Sequence, residues 1–299
     1  MPTIDLSQLP SPEIIEELDF ETILIDVKAV MVAAFPAEQQ ASVVAALSLE
    51  SEPLNVIAQA MAYRELLLRR RINEGAAACM LSHAEGTDLD NLAANLDTKR
   101  LTITLETDTA DAVMESDEAL RLRAQSAFEG MSVAGPSAAY EYFARSASGK
   151  VADARATSPA PADVVIAILS TDGDGTASPQ LLAAVTAAVN DEEVRPLGDR
   201  VTVRSADIVD YLIDAELFLY PGPESEPIIN AAMASLRAFL TANDKKIGRD
   251  VARSAISASL HVQGVQRVIL RSPTADLPIS DIQAARNVGY AVENGGTDE

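Results

Sequence analysis

The 299-residue chain has no tryptophan, one cysteine and two histidines, and only 4% of its residues are aromatic. A single thiol, Cys79, excludes an intramolecular disulfide, and two imidazoles, His83 and His261, cannot furnish a multi-histidine metal site within one chain. The small residues around Cys79 lead to the expectation of a buried, apolar thiol in a reducing compartment. Basic residues are scarce too: 23 stand against 45 acidic ones, for a net charge of −22. Residues 1–100 and 101–200 each hold 7 basic and 16 acidic residues, and 201–299 hold 9 and 13. No third of the chain offers the basic surface that phosphate contacts require, so nucleic acid is not an expected partner. A modest patch of Arg237, Lys245, Lys246, Arg249, Arg253, Arg267 and Arg271 reads equally well as a solvated face or as a dock for an acidic neighbour. No apolar run approaches the ~18–20 residues that span a bilayer. The opening stretch, MPTIDLSQLPSPEIIEELDF, also lacks the basic and apolar regions of a signal peptide. The expectation is a soluble chain without membrane insertion, made and kept inside a cell unless a larger assembly carries it out.

Signatures of chemistry are equally sparse. There is no P-loop, no G-x-G-x-x-G and no G-x-S-x-G, and neither histidine stands at metal-ligand spacing. In STDGDGTASPQ, Asp172, Asp174 and Thr176 alternate as a calcium loop begins, but the sixth position is Ala177 and the twelfth Ala183, where glycine and a bidentate glutamate are needed. A tight turn between strand and helix is the better reading. Acidic pairs such as Glu192-Glu193 could serve acid/base work, yet nothing distinguishes them from solvated charge. No catalytic residue, cofactor or metal ligand is assigned.

What the chain does have, at 48% hydrophobic residues, is material for a sizeable core and for two or three domains. The first hundred residues read as helices. Ser11-Pro12-Glu13 is a start signal for a helix over 12–34, Pro36 begins one through about Leu47, and Ser51-Glu52-Pro53 begins a long one to roughly Leu81. Gly86 then breaks the helix, which restarts with Thr87 or Asp88 as its cap. In the long helix Leu54, Ile57, Met61, Leu68, Ile72 and Cys79 hold one face, and Val56, Ala60, Tyr63 and Leu67 a neighbouring one. That apolar arc is wider than one contact needs. Glu65 and Arg69, four apart in the favourable order, are either a surface pair or a contact between helices that sets register. Residues 101–148 form a mixed, mainly helical connection with one strand candidate, Leu101–Thr107. From 149 to 292 the order β-β-α-β-β-α-α-β gives an α+β region with mixed or antiparallel sheets, divisible at 204/205, and 293–299 reads as a flexible tail.

Several stretches together resemble the baseplate J family of contractile-tailed phages and tail-like particles. They are LPSPEIIEELDFETIL, LESEPLNVIAQAMAYRELLLRRRINEGAAACML, AEGTDLDNLAANL, GPSAAYEYFARSA, VVIAILSTDGDG, VRPLGDRVTV and IGRDVARSAISASLHVQGVQRVIL, in the family's order and over most of the chain. The resemblance implies a structural baseplate wedge protein, not an enzyme. Its partners would be other wedge proteins and further copies of itself, with tail hub and sheath proteins beyond them. Such units are arranged around the hub in a ring that rearranges when the sheath contracts. The chain is then expected in the baseplate of a virion or tail-like particle, assembled in the bacterial host cytoplasm. Residues 1–100 become the wedge-bundle region, and Leu54, Ile57, Met61, Tyr63, Leu68 and Ile72, with Glu65 and Arg69, become candidates for inter-chain contact. A cytoplasmic enzyme with an unrecognised acidic site and an assembly chaperone absent from the mature particle remain as alternatives.

Overall fold

The computed structural model describes residues 4, 6, 9–10, 18–107, 110–132, 135–222 and 225–297. The chain separates into two compact units, Pro2–Asp97 and Thr98–Glu299.

The first unit is helical. Its helices are α1 (Phe20–Ala33), α2 (Ala37–Leu47), α3 (Pro53–Ala78) and α4 (Gly86–Ala94). The start signal at Ser11-Pro12-Glu13 lies outside the described residues. Asp19 caps α1, accepting a hydrogen bond from the Thr22 amide at 2.9 Å, which satisfies one of the donors a helix start leaves open. Pro36 stands immediately before α2 and Pro53 opens α3, positions where the missing N–H costs nothing. The core joins Ile23, Leu24 and Val27 of α1 to Val43 and Leu47 of α2 and to Ala58 and Ala62 of α3. Full burial of one such Leu, Ile or Val contributes ~1.5–3 kcal/mol. Two side chains fasten loop ends to this core: Lys28 Nζ donates to the Leu47 carbonyl at 3.1 Å, and Asn55 Nδ2 to the Leu49 carbonyl at 3.1 Å.

Two expectations here need correction. The α4 cap is Glu85, and Gly86 is the first residue of the helix, at φ +54°. Glycine alone enters that left-handed region without strain. Cys79 is exposed, because it ends α3, where the short side chains of Ala76–Ala78 do not cover it.

The second unit is α+β. A short antiparallel pair, β1 (Thr102–Thr104) and β2 (Val113–Met114), precedes α5 (Asp117–Ser126), a 3-10 turn over Ala127–Met131 and α6 (Ser137–Ser146). Strands β3 (Val151–Ala160) and β4 (Asp163–Ser170) pair antiparallel, α7 (Pro179–Val189) follows, and β5 (Arg200–Ser205) returns parallel to β4. In the central strand β4, Ile166 and Ile168 pack with Tyr140, Ala144, Leu181, Val185 and Val189 under α6 and α7. Ala167 and Leu169, on its opposite face, join Ala206, Ile247 and Ala284. This is the two-fold alternation of a strand covered on both sides.

A second three-stranded sheet has the order β7-β6-β8. Its strands are β6 (Asp207–Leu219), β7 (Val265–Ser272) and β8 (Gln283–Thr297), with α8 (Ser225–Asn243) and α9 (Arg253–Leu260) packed on one face. Ile213, Ala215, Leu217 and Leu219 meet Ala232, Leu236, Ile256 and Leu260 in that core. Helix α9 begins only at Arg253, because Val251 just before it pairs with Leu277 in a β-bridge. Glu293 to Thr297, expected as a tail, continue β8 alongside β6. The architecture is a helical N-terminal stretch followed by small α+β units with mixed and antiparallel sheets.

Candidate functional site

The longest helix, α3, has 26 residues and is ~39 Å long at 1.5 Å per residue. Leu, Arg, Glu and Ala dominate it and favour helix at nearly every position. Its inward side is narrow. Asn55, Ala58 and Ala62 are buried, Leu54 and Leu66 pack partly against the same core, and the two alanines let α1 approach closely. The Asn55 Oδ1 atom is buried without a hydrogen-bond partner.

Large apolar side chains on its other sides are exposed. Ile57, Met61, Tyr63, Leu68 and Ile72 are each between 52% and 60% exposed, and Val56 and Leu67 are exposed as well. Taking ~100° per residue, Ile57, Met61, Leu68 and Ile72 fall on one outer stripe. Val56, Tyr63 and Leu67 fall on another about 130° away. Of the eight residues singled out from the sequence, Leu54 alone joins the apolar packing among the described residues. Glu65 and Arg69 form the expected i,i+4 pair, with the Arg69 Nη2 donating to Glu65 Oε1 at 2.7 Å and both side chains more than a third exposed. Arg70 and Glu74 pair likewise at 2.8 Å. Exposed pairs of this kind add ~0.3–0.5 kcal/mol to the helix. At Gly75 a methyl group would meet nothing within 4 Å, so the helix is open at that position too. Between α1 and α2 a groove of about 650 Å³ is lined by Ala29, Val32, Ala33, Val44 and Leu47.

Features that could carry chemistry resolve into structural ones. Asp172–Thr176 is a turn in which the Ser170 amide donates to the Gly175 carbonyl and the Thr176 amide to Asp174 Oδ1, while Lys150 pairs with Asp172. His83 Nδ1 lies 2.7 Å from the Ser82 hydroxyl, and His261 ends α9. Among the described residues no three of His, Cys, Asp and Glu are grouped to hold a metal. A cleft of about 330 Å³ in the second unit is bordered by Tyr211, Phe239, Asp244, Arg249, Val251 and Asn287. Burial, with Asp244 in support, raises the Tyr211 phenol above its ordinary value. Much of the basic patch is engaged locally. Arg271 meets Glu216 and Glu293, Arg267 lies over the Phe218 ring, Arg237 donates to the Tyr290 hydroxyl and Lys245 to the Thr171 carbonyl.

Sequence reasoning missed two features. One is a buried ion pair: Arg123 donates to both Glu115 oxygens at 2.8 and 2.6 Å and to the Lys99 carbonyl at 2.5 Å. Its partners come from separate elements, so no local spacing betrays it. The other is Leu197, fully exposed on the loop between α7 and β5.

Three family models match in chain order: the Baseplate J-like N-terminal domain over residues 50–107, the Baseplate J-like central domain over 132–205 and the Baseplate J-like protein C-terminal domain over 211–288. The first covers α3 and α4. The chain is also 54% identical over 303 residues to "Baseplate protein J" of Escherichia phage P2, across 100% of both chains. On these matches, and with the described fold, the chain belongs to the baseplate J family and is a structural baseplate wedge protein of a contractile phage tail.

Proposed function

We propose that α3 is the element by which this protein joins the other chains of its wedge. The observation that carries this reading is the mismatch between the breadth of its apolar surface and the narrow face its own unit covers. Two outer stripes, one of Ile57, Met61, Leu68 and Ile72 and one of Val56, Tyr63 and Leu67, remain in water in the single chain. Exposed apolar stripes of that extent on one helix mark a protein contact. Leu54 anchors the helix to its own core, while Glu65 and Arg69 flank the first stripe and fix register between chains. The partners are other wedge proteins and further copies of this chain, with hub and sheath proteins outside them. In this reading the protein does no catalysis, is assembled in the bacterial host cytoplasm and remains in the baseplate of the particle.

The test changes Met61 and Leu68 together to Asp in the full chain, expressed with the other tail proteins. Both positions are exposed, so the isolated variant should keep its circular dichroism and melt within ~2–4 °C of the parent. It should fail to co-purify with tail proteins, and tails should be absent by negative-stain microscopy. Unfolding or insolubility would assign the residues to the chain's own core; normal tails would move the contact to another surface.

A further inference from the structure

Building on the proposed role of α3, and dependent on it, we infer that the segment seated on this helix is an acidic helix of another wedge protein. Two of its carboxylates, about seven residues apart, pair with Arg64 and Arg71.

Helix α3 holds Arg64, Arg69, Arg70 and Arg71 against Glu65 and Glu74, a net of +2 in a chain of net −22. Arg69 pairs with Glu65 and Arg70 with Glu74, so both acids of the helix are taken. Arg64 and Arg71 are exposed and have no ion-pair partner among the described residues. At ~100° per residue these two fall within about 20° of each other, two turns and ~10.5 Å apart along the axis. They lie roughly 160° from the mean direction of Asn55, Ala58 and Ala62, on the side away from the unit's own core. There they occupy the lane between the two outer stripes, about 60° from one and about 70° from the other. Ala60 and Gly75, both exposed, continue the lane at either end and let another backbone come close.

A solvated helix face is polar across its width. Here Met61 and Leu68 border the cations on one side and Tyr63 and Leu67 on the other, all of them exposed. Whatever covers both stripes therefore closes over the lane and takes the two guanidinium groups out of water. A charge buried in that way must meet its counter-charge, because a buried charge left unpaired is strongly destabilising. Arginine suits the place: its stem packs on the apolar borders while its planar head grips a carboxylate through two hydrogen bonds. A strand laid on these side chains would leave backbone N–H and C=O groups unpaired, whereas a helix satisfies its own. Running along α3, such a helix meets both cations when its carboxylates share their spacing and stand among apolar residues. A second α3 is the wrong occupant, since its own Arg64 and Arg71 would face the same lane.

The test uses full chains carrying Arg64→Lys and Arg71→Lys, assembled with the other tail proteins and treated with a carbodiimide, which joins an amine to a carboxylate in contact with it. Digestion and mass spectrometry should find both substituted positions linked to acidic residues in one segment of another tail protein, at the matching spacing. Links to a second copy of this chain, or none in tails of normal yield, would overturn the proposal. So would loss of tails, because lysine keeps both charges. Arg64→Glu with Arg71→Glu should cut the yield of tails about tenfold or more while the isolated chain keeps its circular dichroism. Lysine in place of the two linked carboxylates should restore the yield. Normal tails from the glutamate variant, its unfolding, or lack of restoration would each refute the pairing. Failure of the α3 reading is separate, since it appears as normal tails from the Met61→Asp, Leu68→Asp chain. No tails from that chain, with normal tails from Arg64→Glu, Arg71→Glu, would keep α3 as the contact and sink the acidic partner alone.

Discussion

The Glu115–Arg123 pair is the most consequential interaction between single residues in the second unit. Both side chains are about 95% buried, at 5% and 6% exposure, and the arginine also reaches the Lys99 carbonyl and the Ser146 hydroxyl. Arg100 donates to the Glu115 carbonyl, and the Leu101 amide to Glu115 Oε2. One ion pair thus ties residues 99–101, the end of β2, α5 and α6 together. Arg123→Ala leaves a buried charge without its counterpart and should cost ~3–5 kcal/mol. Replacing both residues by Leu and Met should recover most of that loss. Guanidinium denaturation of the full chain measures each value, and equal losses for the single and double variants would show that packing, not charge, decides the site.

At the scale of the element, α3 has opposite requirements on its different sides. Ala62 is fully buried against α1, so Ala62→Leu should overpack the unit by ~1–3 kcal/mol. Ile72→Ala removes a larger side chain from an exposed position and should change stability by no more than ~0.5 kcal/mol. Urea melts of the two variants check the contrast, and a large loss at Ile72 would place that residue in the chain's own core. Elements with strong local signals were legible in the sequence. Ser116 caps α5, and Ser178 with Pro179 opens α7, as their side chains dictate. β8 was not legible, because QAARNVGYAVENGGT mixes Asn and Gly into an edge strand that buries little of itself. Its Gly295 is required by a neighbour from a distant strand, where a methyl group would come within 2.8 Å of the Phe218 ring. The outer stripes of α3 were visible as a surplus of apolar residues. Which third of the helix faces its own core was not, since that depends on where Ala58 and Ala62 meet α1.

For the whole molecule, the division after Asp97 leaves both large cores of the α+β region, with the smaller one they share, inside Thr98–Glu299. That fragment should therefore fold alone, with a cooperative melt and native near-ultraviolet dichroism. A broad, non-cooperative transition would show that it depends on the helical unit. The passage between its two sheets has a mechanical consequence. β5 ends at Ser205 and β6 begins at Asp207, so a single buried residue, Ala206, joins them, with its amide bound to the Ile168 carbonyl. There is no slack to take up. Tension arriving along β5 enters the 13-residue β6 directly and meets its parallel ladder with β8, interrupted at Tyr211/Leu212 and Leu217/Phe218, lengthwise. Loaded in that direction the rungs share the strain and do not open one after another, so a tail that shortens abruptly can pull through this sheet without unzipping it.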